Sequence, residues 1–256
     1  MDTPEHHDAG EEVLAGLLAA ARSSRLIAGM LQSAGTATVL EEVSAAQCAA
    51  ALGLTGVTVS ILATDGSSER VWAAPDDRIG PAVDDVEYIV GEGPAHDAAR
   101  SGQAVCEPNL SAGPADHWPL FRPDAVRCGA AALFTFPILL GNKVLGVLNG
   151  YRVTPGPLTS QQRTAAWSLT HAACLLLLQL QPTTGISGAA PSARCPAPHR
   201  DQVHQAAGIL SVKLEIPVAK ALERLRAHAY GQDRPLLDLA REIVSRHTDP
   251  SYRLPD

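Results

Sequence analysis

The chain has 256 residues, of which 46% are hydrophobic and 18% charged, so it can bury one large or two small hydrophobic cores. Its 20 Lys and Arg against 27 Asp and Glu give a formal net charge of -7, which excludes a protein that binds polyanions over its whole surface. Five cysteines without a C-x-x-C pair argue against a disulfide framework and a structural zinc site, and we expect no metal.

The beginning of the chain carries no targeting signal that we recognise. Residues 1–10, which include the pair His6-His7, are predicted to be a disordered tail. The first residues are acidic and lack the basic start and apolar core of a signal peptide, and no apolar run in the sequence is long enough to cross a membrane. We therefore expect a cytoplasmic protein that does not associate with membranes.

The first half of the chain alternates helical and strand patterns. Apolar residues at helical spacing predict helices over residues 11–31 and 39–52, the second of which stops before Gly53. The stretch "VTVSILA" (57–63) alternates apolar and polar residues as a half-buried strand does, and residues 70–74 predict its neighbour.

The middle of the chain has clear turn signals. In "VGEGPAHDAARSGQAVC", Pro94 suits the first turn of a short helix and Gly102 suits its end. A strand over residues 103–106 should follow. Gly141-Asn142 separates two β-rich runs, which predicts a hairpin, and residues 159–181 then predict a long helix that ends in an apolar "LLLL". Either a sheet or a partner subunit should cover that segment.

This order of elements predicts an α+β fold, with a central antiparallel sheet that has helices on its faces. Residues 11–181 resemble a GAF domain, through "GEGP" before a short helix, "HWPLF", the strand ending "FPI", and "LGVLNGYR" at the end of the hairpin. The resemblance implies a sensor of small molecules or proteins. It places a ligand pocket near the loop and short helix that cover the sheet, with Tyr88, His96, Cys106, Trp118 and Phe121 as its predicted residues.

Some GAF domains act as free methionine sulfoxide reductases, with nucleophilic cysteines. One of these cysteines lies in the loop that corresponds to "GEGPAH", where this chain has Ala95. Such an enzyme needs a thiolate and a resolving partner within reach, and Cys106 and Cys128 lie near places that it would use. Because the loop cysteine is absent, we expect no enzyme, no catalytic residue and no cofactor.

The composition changes after the long helix. Residues 182–199, "PTTGISGAAPSARCPAPH", are rich in Pro, Gly, Ser and Ala and predict a linker. A flexible coil of this length spans roughly 24 Å. We therefore expect two tethered modules that are not rigidly docked.

Residues 200–248 predict a bundle of three short helices, the second opened by Pro217 and the third by Pro235. The first helix has a predicted core stripe of Val203, Ala207, Leu210 and Leu214. Residues 200–247 carry eight basic and six acidic residues, a small positive excess in an otherwise acidic chain. The first helix also holds a glycine, Gly208, at a cost of about 1 kcal/mol relative to alanine.

Residues 204–244 are similar to an ANTAR domain, the RNA-binding module of bacterial transcription antiterminators. Their sequence is "HQAAGILSVKLEIPVAKALERLRAHAYGQDRPLLDLAREIV". The matching positions are Gln205, Ala206 and Gly208, the helix opened by proline that reaches "LRAHAY", and "RPLLDLAREIV". Many relatives have Lys where this chain has Ala207, which removes one phosphate contact. The resemblance implies binding to stem-loops in nascent RNA, often by two modules together.

On a helical wheel, His204, Gly208 and Ser211 form an uncharged stripe beside the core, with Ala207 at its border. A single-stranded RNA loop can present splayed bases to such a surface. Basic and aromatic residues at the end of the second helix and the start of the third would supply phosphate contacts and one base stack. The predicted RNA-binding residues are His204, Gln205, Ala207, Gly208, Ser211, Arg226, His228, Tyr230 and Arg234.

Other interpretations of the bundle stay open. Gly208 alone is also typical of a close approach between two helices, and three short helices are also typical of a helix-turn-helix that reads DNA. We interpret the chain as a signal-responsive transcription antiterminator, in which a GAF sensor controls an ANTAR module. We expect RNA stem-loops as its partner and a homodimer as its assembly. The alternative is a GAF protein that senses a ligand or redox state and whose C-terminal helices bind protein or DNA.

Overall fold

The structure is a computed structural model that describes residues 43–62, 68–114, 116–179, 198–232 and 234–248. The predicted tail over residues 1–10, the helix predicted over 11–31 and nearly all of the predicted linker lie outside these residues. No helix in the described part of the chain is long and apolar enough to cross a membrane.

A five-stranded antiparallel sheet forms the centre of the N-terminal domain. Its strands are Gly56–Leu62 (β1), Ser68–Ala73 (β2), Val105–Glu107 (β3), Ala132–Leu140 (β4) and Lys143–Arg152 (β5), in the spatial order β2-β1-β5-β4-β3. The predicted hairpin joins β4 to β5, and Gly141 in its turn has a φ of 59°, a left-handed conformation that favours glycine. The antiparallel sheet predicted from the sequence is confirmed.

One face of the sheet is covered by helices α1 (Ala45–Ala51) and α5 (Ser160–Gln179). The apolar end of α5 is only half covered. Leu176 and Leu177 are buried against the sheet side, whereas Leu175 and Leu178 are 47% and 37% exposed. The sheet therefore accounts for half of the apolar segment.

The other face carries three helices, Ile79–Val90, Pro94–Ser101 and Phe121–Arg127, which we name α2, α3 and α4. The sequence predicted α3, but not α2 or α4. Asp77 starts α2, because its Oδ1 accepts hydrogen bonds from the backbone N–H groups of Ile79 and Gly80 at 2.9 and 3.1 Å. Gly91 ends the helix with a φ of 75°. Helix α2 positions most of the polar groups described below.

The C-terminal residues form the predicted three helices, Pro198–Leu214 (α6), Val218–Gly231 (α7) and Leu236–Thr248 (α8). Their shared core includes Val203, Ala206, Ala207, Leu222 and Leu225. Tyr88 of α2 joins the same cluster. The expectation of modules that are only tethered is therefore wrong for this structure, because the bundle packs directly against the N-terminal domain.

Candidate functional site

A cavity of about 540 Å³ lies between the sheet and helices α2 and α3. Strands β1 and β5 contribute Ser60, Val147 and Asn149, and α2 contributes Asp84 and Glu87. Its volume is within the range that holds small-molecule ligands. The cavity is thus a candidate ligand site by size and position.

Asp84 is a buried acid of the cavity wall, with 3% of its side chain exposed. Its Oδ1 accepts a hydrogen bond from Asn149 Nδ2 at 2.8 Å. Its Oδ2 has no partner in hydrogen-bond geometry among the described residues. Arg70 Nη1 lies 3.7 Å from that oxygen, and Arg200, Arg70 and the Thr58 hydroxyl all favour the ionised form of Asp84. Burial raises the pKa of Asp84 against these opposing effects.

Glu87 and His96 form the next part of the wall. Glu87 is 4% exposed, and its Oε1 accepts a hydrogen bond from the Ala95 N–H at 2.7 Å. Burial raises the pKa of Glu87 well above its ordinary value, which favours the protonated carboxyl. Burial lowers the pKa of His96. Its Nε2 lies 3.1 Å from the Glu87 carbonyl oxygen, which can only accept, so Nε2 carries the hydrogen and Nδ1 is an acceptor.

A Glu87→Gln variant should melt at a higher temperature than the wild type at neutral and alkaline pH. The folded state holds a proton on Glu87 that the unfolded state releases above its ordinary pKa of about 4.3. The stability contributed by this group is therefore full below that pKa and is lost as the pH rises through the raised, folded value. Glutamine keeps the acceptor for Ala95 and needs no proton.

Thermal melts between about pH 4 and pH 8 measure this effect. The gain of Glu87→Gln over wild type should vanish at the acid end. Glu223→Gln is the matched control, because that side chain is 60% exposed on α7. A Glu87 variant whose effect is independent of pH would show that the carboxyl is ionised in the folded protein.

Of the five residues predicted for the ligand pocket, only His96 lines the cavity. Trp118 and Phe121 are buried in a separate apolar cluster beneath α4, and Trp118 Nε1 donates to Asp97 Oδ2 at 3.0 Å. Cys106 is exposed on the edge strand β3, and Tyr88 faces the C-terminal bundle. These residues are close in sequence to the loop and short helix, but their side chains point to different parts of the domain.

Tyr88 lies between two arginines of the bundle. The guanidinium carbons of Arg200 and Arg226 are 5.0 and 5.5 Å from the centre of its ring. Arg226 also donates to the Tyr88 carbonyl oxygen from Nε at 3.1 Å. The ring of His204 is 5.5 Å from the Tyr88 ring. These cation–π and polar contacts attach the bundle to α2.

Arg200, at the start of α6, makes the main ionic contact between the two parts. Its Nε donates to Asp85 Oδ1 at 2.8 Å, and its Nη1 donates to the Ser68 carbonyl oxygen at 3.2 Å. The side chain is only 6% exposed. Arg70 shares the same acid, with Nη1 3.3 Å from Asp85 Oδ1. We name the contacts of Arg200 and Arg226 with Asp85, Ser68 and Tyr88 the latch.

The predicted RNA-binding residues lie in four different settings. His204 and Arg226 contact Tyr88 of α2. Ala207 is fully buried in the bundle core, which confirms its place in the predicted core stripe and corrects its prediction as an RNA-binding residue, because it offers no surface to RNA. Ser211 is half-buried, and its Oγ donates to the Ile216 carbonyl oxygen at 2.6 Å, so it holds the turn before α7.

The remaining predicted residues lie at the surface. Gln205, His228 and Arg234 are exposed, and Tyr230 is 71% exposed. Arg234 donates to Glu242 Oε2 at 2.7 Å, an exposed pair that contributes little to stability.

Gly208 is partly exposed in the middle of α6. A β-carbon placed on it meets no atom within 4 Å outside its own helical turn, among the described residues. Close helix packing is therefore not the reason for this glycine.

Sequence reasoning missed Asp84, Glu87, Asn149 and the latch pair Asp85 and Arg200. The two latch residues are 115 positions apart in the chain, and neither lies in a motif. The acids of α2 were missed because the helix itself was not predicted. The one sequence signal that could have identified these residues was a pair of adjacent acids in an otherwise apolar stretch.

The cysteines within the described residues show no sign of activation. Burial raises the pKa of the Cys106 and Cys128 thiols, which disfavours the thiolate. Burial raises the pKa of Cys48 to about 12. Within the described residues, no group of three or more His, Cys, Asp or Glu is placed to hold a metal ion.

A family model described as GAF domain matches residues 37–177, more than half of the chain. The chain belongs to the GAF domain family. The cavity and the acids of α2 are therefore features of its GAF domain, and GAF domains occur as sensor modules in signalling proteins. A comparison with curated proteins gives no match.

Several solved structures share the GAF fold. The GAF domain of a phosphoenolpyruvate-protein phosphotransferase from Acinetobacter is 13% identical, with a TM-score of 0.49, over 64% of this chain and 96% of that one. The corresponding domain from Coxiella burnetii is 15% identical, with a TM-score of 0.46, over 63% and 96%. A free methionine-R-sulfoxide reductase from Neisseria meningitidis is 21% identical, with a TM-score of 0.35, over 53% and 72%.

Proposed function

We propose that the protein is a transcription antiterminator in which the GAF sensor controls an ANTAR module formed by α6, α7 and α8. One observation carries the proposal: Gly208 is partly exposed in mid-helix, and a β-carbon on it meets no packing partner in the described part of the chain. A glycine there costs about 1 kcal/mol in helix propensity. Close approach of RNA bases to the helix backbone supplies a reason for it.

The surface around Gly208 suits an unpaired RNA loop. Gln205, Gly208 and Val212 follow one another at i, i+3 and i+7, so they share a face of α6, and Val212 is 80% exposed. Gln205 offers an amide that can read base edges, and Tyr230 on α7 is exposed enough to stack on a base. Between Gln205 and Val212 this face carries no acid, and the exposed Asp201 lies one turn before it.

Control by the GAF domain follows from the latch. His204 and Arg226 belong to the predicted RNA surface, and both contact Tyr88 in the docked arrangement. RNA that needs these residues competes with α2 for them. The docked arrangement is thus the RNA-closed state, and a signal at the GAF domain acts by releasing the bundle.

The proposed activity requires no catalysis. A sulfoxide reductase needs a reactive thiolate, whereas the raised pKa values of the Cys106 and Cys128 thiols favour the neutral forms. Ala95, at the wall of the cavity, has no nucleophile. Ligand binding without turnover fits these groups.

A homodimer is part of the proposal. Leu175 and Leu178 are exposed at the end of α5, on the face turned away from the sheet. Pairing of two α5 helices would cover them. Two RNA modules in one assembly would raise the effective concentration of the second binding event.

A protein-binding role for the bundle is the second candidate, favoured by one observation. Val212 and Tyr230 are the two most exposed large hydrophobic residues of the described chain, and such residues also mark protein interfaces. Duplex DNA is disfavoured as a ligand, because Asp238 and Glu242 lie along α8 and would repel phosphates.

Nucleic-acid selection separates these functions. The intact protein is incubated with RNA hairpins of one stem and randomised loops, and with duplex DNA of the stem sequence. We expect hairpins with a restricted set of loop sequences to be retained. Retention of duplex DNA, or of no nucleic acid, would contradict the antiterminator proposal.

RNA binding should depend only weakly on salt. The region 200–247 has eight basic and six acidic residues, so few phosphates can be neutralised, and about two to four counterions should be released. The slope of log K against log salt for the selected hairpin measures this number. A steep slope without preference for the loop sequence would indicate general electrostatic binding instead.

A further inference from the structure

We propose that the GAF cavity binds a small zwitterion, with a cationic nitrogen group at the inner end beside Asp84 and Glu87 and an anionic group at the mouth. The inference rests on the proposed sensor role of the GAF domain and names the chemical class of its ligand. An ammonium or a guanidinium group fits the inner end.

The inner wall offers hydrogen-bond acceptors. Asp84 Oδ2 has no hydrogen-bond partner among the described residues, although the side chain is 3% exposed and lines the cavity. Glu87 lines the same wall, and the His96 ring presents an acceptor at Nδ1 because Nε2 donates to the Glu87 carbonyl. The donor of Asn149 already serves Asp84 Oδ1. A ligand group rich in donors complements this set.

The charges of the inner wall favour a cation. The two nearby guanidinium groups, of Arg70 and Arg200, both contact Asp85. Arg70 also forms an ion pair with Asp84 Oδ2 at 3.7 Å, although it makes no hydrogen bond to that oxygen. Glu87 has no ion pair among the described residues, and burial opposes its ionisation. A cationic ligand supplies the opposite charge that Glu87 lacks, whereas a neutral ligand of the same shape does not.

The mouth has the opposite sign. Arg100 and Lys143 line the cavity, and both are exposed, with 83% of the Arg100 side chain accessible. Arg100 pairs with Asp97 at 2.8 Å, whereas Lys143 has no ion pair among the described residues. Cations at the opening attract an anionic group. A ligand with a positive inner end and a negative outer end therefore matches the whole cavity.

Binding of two matched series of compounds to the intact protein tests the inference. The first series contains ω-guanidino carboxylates of increasing chain length, each paired with its neutral ω-ureido isostere. The second pairs ω-amino carboxylates with ω-hydroxy carboxylates. Isothermal titration and thermal shift should show a length at which the cationic member binds at least about tenfold more tightly than its neutral partner. Alkylguanidines without the carboxylate should bind less tightly.

Two variants locate the site. Asp84→Asn and Glu87→Gln should each reduce the preference for the cationic member, whereas Asp124→Asn, an acid exposed on α4 and paired with Arg127, should not. Glu87→Gln keeps the inference testable if Asp84→Asn does not fold.

Equal binding of the neutral isosteres, or binding of no compound in either series, would overturn the inference. The assay contains no RNA. A protein that binds RNA but none of these compounds therefore contradicts only the ligand class, and one that binds them but no RNA contradicts only the antiterminator proposal.

Discussion

Replacing Gly208 by leucine should abolish RNA hairpin binding and leave the protein folded. A leucine side chain at this position would project into open space, since a β-carbon there meets no atom within 4 Å among the described residues. It would restore helix propensity worth up to about 1 kcal/mol. It would also keep bases from the helix backbone, and we expect a loss of affinity of about 100-fold or more, or about 2.7 kcal/mol.

Gly231→Leu is the matched control for this variant. Gly231 is also a helical glycine of the bundle, at the end of α7, and a β-carbon on it likewise meets no atom within 4 Å among the described residues. The control should fold and keep its affinity for RNA. A Gly208→Leu protein that melts at a lower temperature but binds hairpins normally would indicate a packing role and contradict the proposed surface.

Replacing Asp85 by asparagine should increase RNA affinity, by about tenfold or more. Arg200 is 6% exposed, and Asp85 is its ionic partner in the latch. Removing one partner of a buried ion pair costs about 3–5 kcal/mol, because the other charge is then buried without a partner. In this protein that cost falls on the docked state. Undocking returns Arg200 to water, so the variant shifts the population toward the open state in which His204 and Arg226 are free.

A gain of binding distinguishes this result from simple damage to the fold. Asp85 lies on the GAF domain and does not belong to the proposed RNA surface. Fluorescence titration of a labelled hairpin measures the affinity, and hydrogen exchange of α6 reports undocking. Asp124→Asn removes an acid from an exposed pair on α4 and should change neither quantity. Unchanged or weaker RNA binding by Asp85→Asn would show that the latch does not cover the RNA surface.

Local patterns predicted much of the fold. The turn at Gly141-Asn142, the helix opened by Pro94 and the long helix α5 all depend on residues close together in the chain. Helix α2 was missed because Gly80 and Pro81 interrupt its first turn and acids stand among its apolar residues. The helix forms there because Asp77 binds its first N–H groups and because α2 packs between the sheet and the bundle.

The candidate sites depend on contacts that no local pattern records. Asn149 and Asp84 are 65 residues apart, and the latch joins residues still farther apart. The helical pattern correctly placed Ala207 in the core of α6, whereas its listing as an RNA-binding residue is corrected by that burial. A family resemblance identified Gly208, but only the empty space around it separates an exposed glycine from a packed one.

Hydrogen exchange of the intact protein, with and without the selected RNA hairpin, tests whether RNA and helix α2 compete for one surface of the bundle. RNA binding should slow exchange in α6 around Gly208 and accelerate exchange in α2, including Tyr88, as the latch opens. Slower exchange in both helices, or no change in α2, would contradict control of RNA binding by the GAF domain.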